Sequence, residues 1–260
     1  MKGLLAKRDW LCCAGCFCAI CLCLWTVAGR HAEPTMLPVE RKIVILDAGH
    51  GGWDPGKTGS TNYADEKTLN LAVVEKLQGY LEQSGATVYL TRDTDEALGG
   101  GKREDMAERK RIANESGADI LVSIHQNAFP SAKAKGAQVF YHKNSDAAKR
   151  LAECLQESLR ERLDGGNSRQ AKENADYYIL RKTELPAAIV ECGFLSNREE
   201  ETLLNDENYQ DKLAWAIYCG ISDYFEQESG GTAAEQGKRI SDVVLMRRRL
   251  FYWDFGILCR

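Results

Sequence analysis

Residues 42–52 read KIVILDAGHGG: four consecutive aliphatic side chains that stop at Asp47 and run into glycines around His50. An apolar run bounded by turn residues reads as a strand covered on both faces, because a half-solvated strand would alternate. Further strands are expected at residues 87–91 (TVYLT), 119–124 (DILVSI), 137–141 (AQVFY), 177–180 (YYIL) and 187–191 (AAIVE). Between them, apolar residues recur at three and four over residues 68–83, 103–115, 146–162 and 209–225, which is the helical period. Gly85 stands where a helix C-terminal cap belongs. Strands alternating with helices predict an α/β fold with about six strands, helices on both faces, and chemistry on the loops at the strand ends.

The chain has 260 residues, with 38 acidic and 34 basic side chains and a formal net charge of −4. That balance excludes a strongly basic nucleic-acid binder, and 44% apolar residues are enough for a sizeable core. Residues 11–29 carry no charge, and as a helix would span about 28 Å at about 1.5 Å per residue. Lys2, Lys7 and Arg8 precede this stretch, so the positive-inside rule sends the rest of the chain across the membrane. Residues 1–29 are read as a signal anchor in preference to a cleaved signal peptide, residues 30–40 as a linker and residues 41–226 as one domain. The body is expected to be exported across the cytoplasmic membrane, anchored or secreted. Six of the ten cysteines lie between Cys12 and Cys23 among apolar neighbours, and are read as small hydrophobes of the anchor. Residues 227–260 turn polar, then basic and aromatic, and are read as an extension with no assigned role.

The chemistry gathers at strand ends. His50 lies between glycines just past the first strand, where a glycine-rich turn can also cradle a phosphate. His125 sits at the edge of the third apolar run, in SIHQN. Glu66 heads the first long helix and can reach the same strand ends, although the helix dipole alone also favours an acid there. Two imidazoles and one carboxylate leave a fourth position for water, the open arrangement of a catalytic zinc site. Glu191 ends the apolar run AAIV, and a carboxylate buried there is costly unless it meets a cation or transfers protons. Cys192 beside it is read as structural, and His142 as lying off the site.

Four segments, IVILDAGHGGWDPGKTG, DEKTLNLA, ADILVSIHQNAF and PAAIVECGFLSNREEE, follow in order over residues 41–225. Together they resemble the zinc-dependent N-acetylmuramoyl-L-alanine amidases of bacterial cell walls. GAQVFY and its short connection to YYIL look most like the sporulation and germination subgroup. The resemblance implies one α/β domain with a mixed central sheet, one zinc ion on His50, Glu66 and His125, and Glu191 as the catalytic carboxylate. It implies hydrolysis of the amide between the lactyl group of N-acetylmuramic acid and L-alanine, in spore-cortex processing, with Asn127 and Arg92 as candidate substrate contacts. The sequence departs from the family pattern at Ala48, Lys57 and Gln126. The partners admitted are peptidoglycan, an activator protein or a peptidoglycan deacetylase working in sequence, and the membrane through the N-terminal segment. The competing readings are a zinc peptidase or deacetylase acting on another wall amide, and a non-catalytic wall-binding module.

Overall fold

The computed structural model describes residues 37–61 and 64–230. The hydrophobic segment at residues 11–29 and residues 231–260 of the extension therefore lie outside the described residues. No helix among the described residues is long and apolar enough to cross a membrane.

Six strands form one sheet: β1 (Ile43–Ala48), β2 (Thr87–Leu90), β3 (Ile120–Asn127), β4 (Gln138–Tyr141), β5 (Lys172–Glu173) and β6 (Ala187–Phe194). Their order is β2-β1-β3-β6-β4-β5. The β4–β6 pair is antiparallel and the others are parallel, so the sheet is mixed as expected. The helices are α1 (Glu66–Gln83), α2 (Lys102–Glu115), α3 (Asp146–Arg162), α4 (Tyr178–Lys182), α5 (Arg198–Leu204) and α6 (Glu207–Glu228). Gly85 ends α1 as its position predicts. With φ at +84°, it lets its own amide reach Glu82 and the Ala86 amide reach Leu81, which closes a Schellman motif.

Side chains of the strands divide by alternation. Val44, Leu46, Ile120, Val122, Ala188 and Val190 face one way and pack with Leu77 of α1, Leu155 of α3 and Ile217 of α6. Ile45, Leu121 and Ile189 face the other way, under Ala113 of α2 and Ile179 and Leu180 of α4. Each large aliphatic side chain withdrawn from water in these layers contributes about 1.5–3 kcal/mol. On the second face the same alternation continues to the C-terminal ends of the strands, where the next positions are Asp47, Ser123, His125 and Glu191. There the residues turn polar while Asp47, Ser123 and Glu191 stay buried.

One expected strand is a helix. Residues 177–180 begin α4 instead, because the Asn174 side chain accepts from the Asp176 and Tyr177 amides and turns the chain into a helical start. A four-residue apolar run cannot distinguish a buried strand from one buried helix turn. The strand that replaces it in the sheet is β5, the exposed pair Lys172–Glu173, whose polar side chains carry no strand pattern. The short helix α5 was not expected either. Its start is set by Asn197, whose side chain accepts from the Glu199 and Glu200 amides.

Candidate metal centre and active site

Strand β1 delivers His50 through a tight turn. The residue has φ at +64°, a left-handed conformation that costs a non-glycine residue energy and survives only where surroundings impose it. The surroundings are two buried arginines. Arg109 of α2 donates to the carbonyls of His50 (2.6 Å) and Ala48 (2.8 Å) and to the carboxylates of Asp47 (2.6 Å) and Asp105 (2.7 Å). Arg92 donates to the carbonyls of Ala48, Gly49, Lys67 and Thr94. Asp47 in turn accepts from Thr91 (2.7 Å) and Ser123 (2.5 Å). Burial works against its charge, but Arg109 and these hydroxyls hold its carboxyl down at about 2.

His125 comes from β3 and Glu191 from β6, as register partners on neighbouring parallel strands. Just beyond them the register shifts, and the Gln126 amide turns from the ladder to donate to Glu66 (3.1 Å). Glu66, the first residue of α1, brings its Oε1 within 2.9 Å of His125 Nδ1 and 3.2 Å of His50 Nε2. Its Oε2 accepts from the Lys57 amide (2.9 Å). Gly49 makes room for this arrangement: a Cβ there would lie 2.2 Å from the His125 ring.

One donor atom from each of His50, Glu66 and His125 lies within 4.8 Å of the other two. Burial opposes ionisation of Glu66, but hydrogen bonds from His125 and His50 outweigh it and hold the carboxyl well below the usual range. Burial also disfavours a charged His125, and Glu66 overcomes it, raising the imidazole to about 9. Behind His50, Asp54 Oδ2 meets Nδ1 at 2.8 Å, which commits that nitrogen and leaves Nε2 free to meet an ion. Two imidazoles, one of them backed by a carboxylate, and the carboxylate of Glu66 are the donor set of an open zinc site, so the residues present fit that ion.

A pocket of about 510 Å³ opens beside this cluster, lined among others by His50, Glu66, His125, Asn127, Tyr177 and Glu191. Glu191 is 7% exposed, and its Oε2 is buried with no hydrogen-bond partner among the described residues. Burial pushes its carboxyl up, His125 opposes this and Glu66 assists it. A buried carboxylate with a free oxygen in a pocket is able to take and return a proton.

Of the expected site residues, the fold brings His50, Glu66, His125, Glu191 and Asn127 to one pocket and leaves Arg92 out. Arg92 is 4% exposed with its guanidinium spent on backbone carbonyls, so it clamps the turn and does not line the pocket. Cys192 is buried on the opposite face, where burial pushes its thiol far up. His142 does not line the pocket. Residues 51–58, GGWDPGKT, fit the spacing of a phosphate-binding loop. Such a loop opens a helix at its Lys-Thr, whereas α1 begins only at Glu66 and the Lys57 amide faces the Glu66 carboxylate. The departures at Ala48 and Lys57 engage this network through backbone atoms, and Gln126 is absorbed by a side-chain bond to Asn70 (3.2 Å).

Asp54 and Arg109 were not anticipated. Asp54 stands four residues after His50 in a polar turn, a spacing that was open to reading, while Arg109 is one cation among several in KREDMAERKR and carries no distinguishing signal.

The sequence profile of the N-acetylmuramoyl-L-alanine amidases matches residues 44–223. The chain is 40% identical over 204 residues to a germination-specific N-acetylmuramoyl-L-alanine amidase of Bacillus subtilis, covering 75% of this chain and 85% of that protein. Among solved structures it is similar to the CwlD amidase of Clostridioides difficile in complex with the GerS lipoprotein, at 44% identity and a TM-score of 0.69, over 72% of this chain and 99% of that one. It is also similar to the catalytic domain of the amidase CwlV from Bacillus (Paenibacillus) polymyxa, at 32% identity and a TM-score of 0.64, over 71% and 98%. The mixed sheet, the site at its strand ends and these likenesses agree: the chain belongs to the N-acetylmuramoyl-L-alanine amidase family of cell-wall enzymes.

Proposed function

We propose that this amidase is zinc-dependent and cleaves the bond between the lactyl group of N-acetylmuramic acid and L-alanine in spore-cortex peptidoglycan, outside the cytoplasmic membrane. The observation that carries the reading is the juxtaposition, in one pocket, of a His-Glu-His donor set with a buried carboxylate oxygen that has no partner. His50, Glu66 and His125 would hold the ion. When bound, zinc supplies a Lewis acid for the amide carbonyl and lowers the pKa of a water ligand toward about 7.

The protein's own groups do the rest. Glu191 receives the proton of the attacking water at its free Oε2 and returns it to the nitrogen of the departing L-alanine. Asp54 holds the His50 ring in one tautomer, and Arg109 holds its backbone. Asn127, on the pocket wall, is the candidate substrate contact.

Similarity to a germination-specific amidase supports the cortex as the substrate, and the charge asymmetry around residues 11–29 supports export. The lipoprotein bound to the C. difficile neighbour supports a protein partner here as well. Digestion of spore-cortex peptidoglycan, with and without extract of the producing cell, tests the bond. New L-alanine amino termini without new reducing ends are expected. Reducing ends, or termini only at D-alanine or diaminopimelate, would refute it. Alkaline phosphatase fused after Phe225 should be active, and an inactive fusion would count against export.

A further inference from the structure

The two oxygens of Glu191 differ in their surroundings. Its Oε2 has no partner among the described residues, while its Oε1 accepts a hydrogen bond from the Tyr177 hydroxyl at 3.4 Å. The terminal torsion of a glutamate is soft and roughly two-fold. Nothing intrinsic to Glu191 decides which oxygen faces the pocket.

We propose that Tyr177 is a positioning residue for the amidase reaction: its hydroxyl pins Oε1 of Glu191 and so keeps Oε2 aimed at the attacking water. The proposal rests on the reading of Glu191 as the proton acceptor.

The fold invests in this tyrosine. Asn174 fixes its backbone by accepting from its amide at 2.9 Å, and the Asn174 amide is itself tied to the Tyr141 carbonyl at 2.8 Å. The ring stands edge-on against Phe140, with centroids 5.5 Å apart. Tyr177 is the N-cap residue of α4, so the helical turn that replaces the expected strand is what swings the phenol over β6. Burial and the neighbouring Glu191 charge push the phenol up to about 12, so it remains a donor throughout the neutral range. A contact of 3.4 Å is long, and such bonds commonly tighten once substrate is bound.

Tyr177→Phe keeps the ring and removes only the donor. In the full-length, zinc-loaded protein, kcat should fall about 10–100-fold, the range for removing a group that orients an active-site ligand, with KM, zinc per chain and unfolding midpoint unchanged. A cycle with Glu191→Gln separates the roles. Once Glu191 is replaced, Tyr177→Phe should lower turnover no further. If Tyr177→Phe leaves kcat within about twofold, or lowers it equally in both backgrounds, the proposal is overturned. A Glu191→Gln enzyme that turns over normally would sink the reading of Glu191 instead. Loss of zinc or of thermal stability in Tyr177→Phe would make the residue structural, against the proposal.

Discussion

The guanidinium of Arg109 donates to the carbonyl of His50 at 2.6 Å, across 59 residues of sequence, and thereby holds a histidine of the pocket in left-handed backbone. The same guanidinium neutralises Asp47 and Asp105. Arg109→Met should destabilise the fold by about 3–5 kcal/mol, because it leaves two carboxylates in place without their cation. Arg109→Lys should recover part of this but not the fork of contacts. Denaturant unfolding of the three proteins measures the order, and a Met variant as stable as the parent would contradict it.

Asp47 gives the fold a defined acid sensitivity. Its carboxyl is lowered from 3.8 to about 2 by Arg109 and two hydroxyls, against the opposing effect of burial. A group with a depressed folded pKa adds stability above its unfolded value and loses it as the pH falls through the folded one. The contribution is on the order of 2 kcal/mol. The stability gap between parent and Asp47→Asn, measured by urea unfolding of chelator-treated protein, should be constant above about pH 5 and shrink between pH 4 and 2. A gap that does not change over that window would show that Asp47 does not titrate there.

Glu191→Gln should retain the metal and lose about 10²–10⁴ in turnover, the usual contribution of a general acid–base group. The amide keeps the shape of the side chain and removes the proton acceptor. Zinc content by atomic absorption and release of L-alanine amino termini are the two measurements, and near-normal turnover would assign the proton to another group.

Asp54→Ala frees the Nδ1 nitrogen of His50 without touching any ligand. Zinc affinity should drop about 10–100-fold while the fold persists. Competition with a chromogenic chelator reads the affinity directly. Equal affinity in the two proteins would reduce the 2.8 Å contact to a surface hydrogen bond.

Replacing both His50 and His125 with Ala should abolish zinc binding. Because an ion that binds only the folded state stabilises it by about 2.7 kcal/mol at a hundredfold excess over Kd, chelation should lower the parent's unfolding midpoint and leave the double variant's unchanged. A full zinc complement in the double variant would remove these histidines from the metal site.

Gly49 shows how a sequence can conceal a requirement. In AGHGG it reads as turn chemistry, yet its φ is not among the positive values, and what it supplies is space for the His125 ring, 76 residues away. Asp54 was within reach of sequence reasoning, since it lies four residues from His50. Tyr177 was not: YYIL carries the same apolar signal whether it is extended or helical, and the turn held by Asn174 decided between them.

The sequence by itself determined the layers and the chemistry. Runs such as IVIL and AAIV bury both faces of the sheet, helical periodicity supplies the cover, and the polar residues that follow those runs, His50, His125 and Glu191, mark where the chain reaches the pocket. Tertiary structure alone decided which polar residues share the pocket and which support it. Arg92 and Arg109 look alike in one dimension, as cations near strand or helix ends. In the fold both are buried against backbone carbonyls, because left-handed backbone at His50 needs donors that no local turn can provide. The free oxygen of Glu191 is likewise a property of the assembled site. It exists because parallel register sets Glu191 beside His125 and a helix start sets Tyr177 on its other oxygen, and neither distance is encoded in any contiguous stretch of chain.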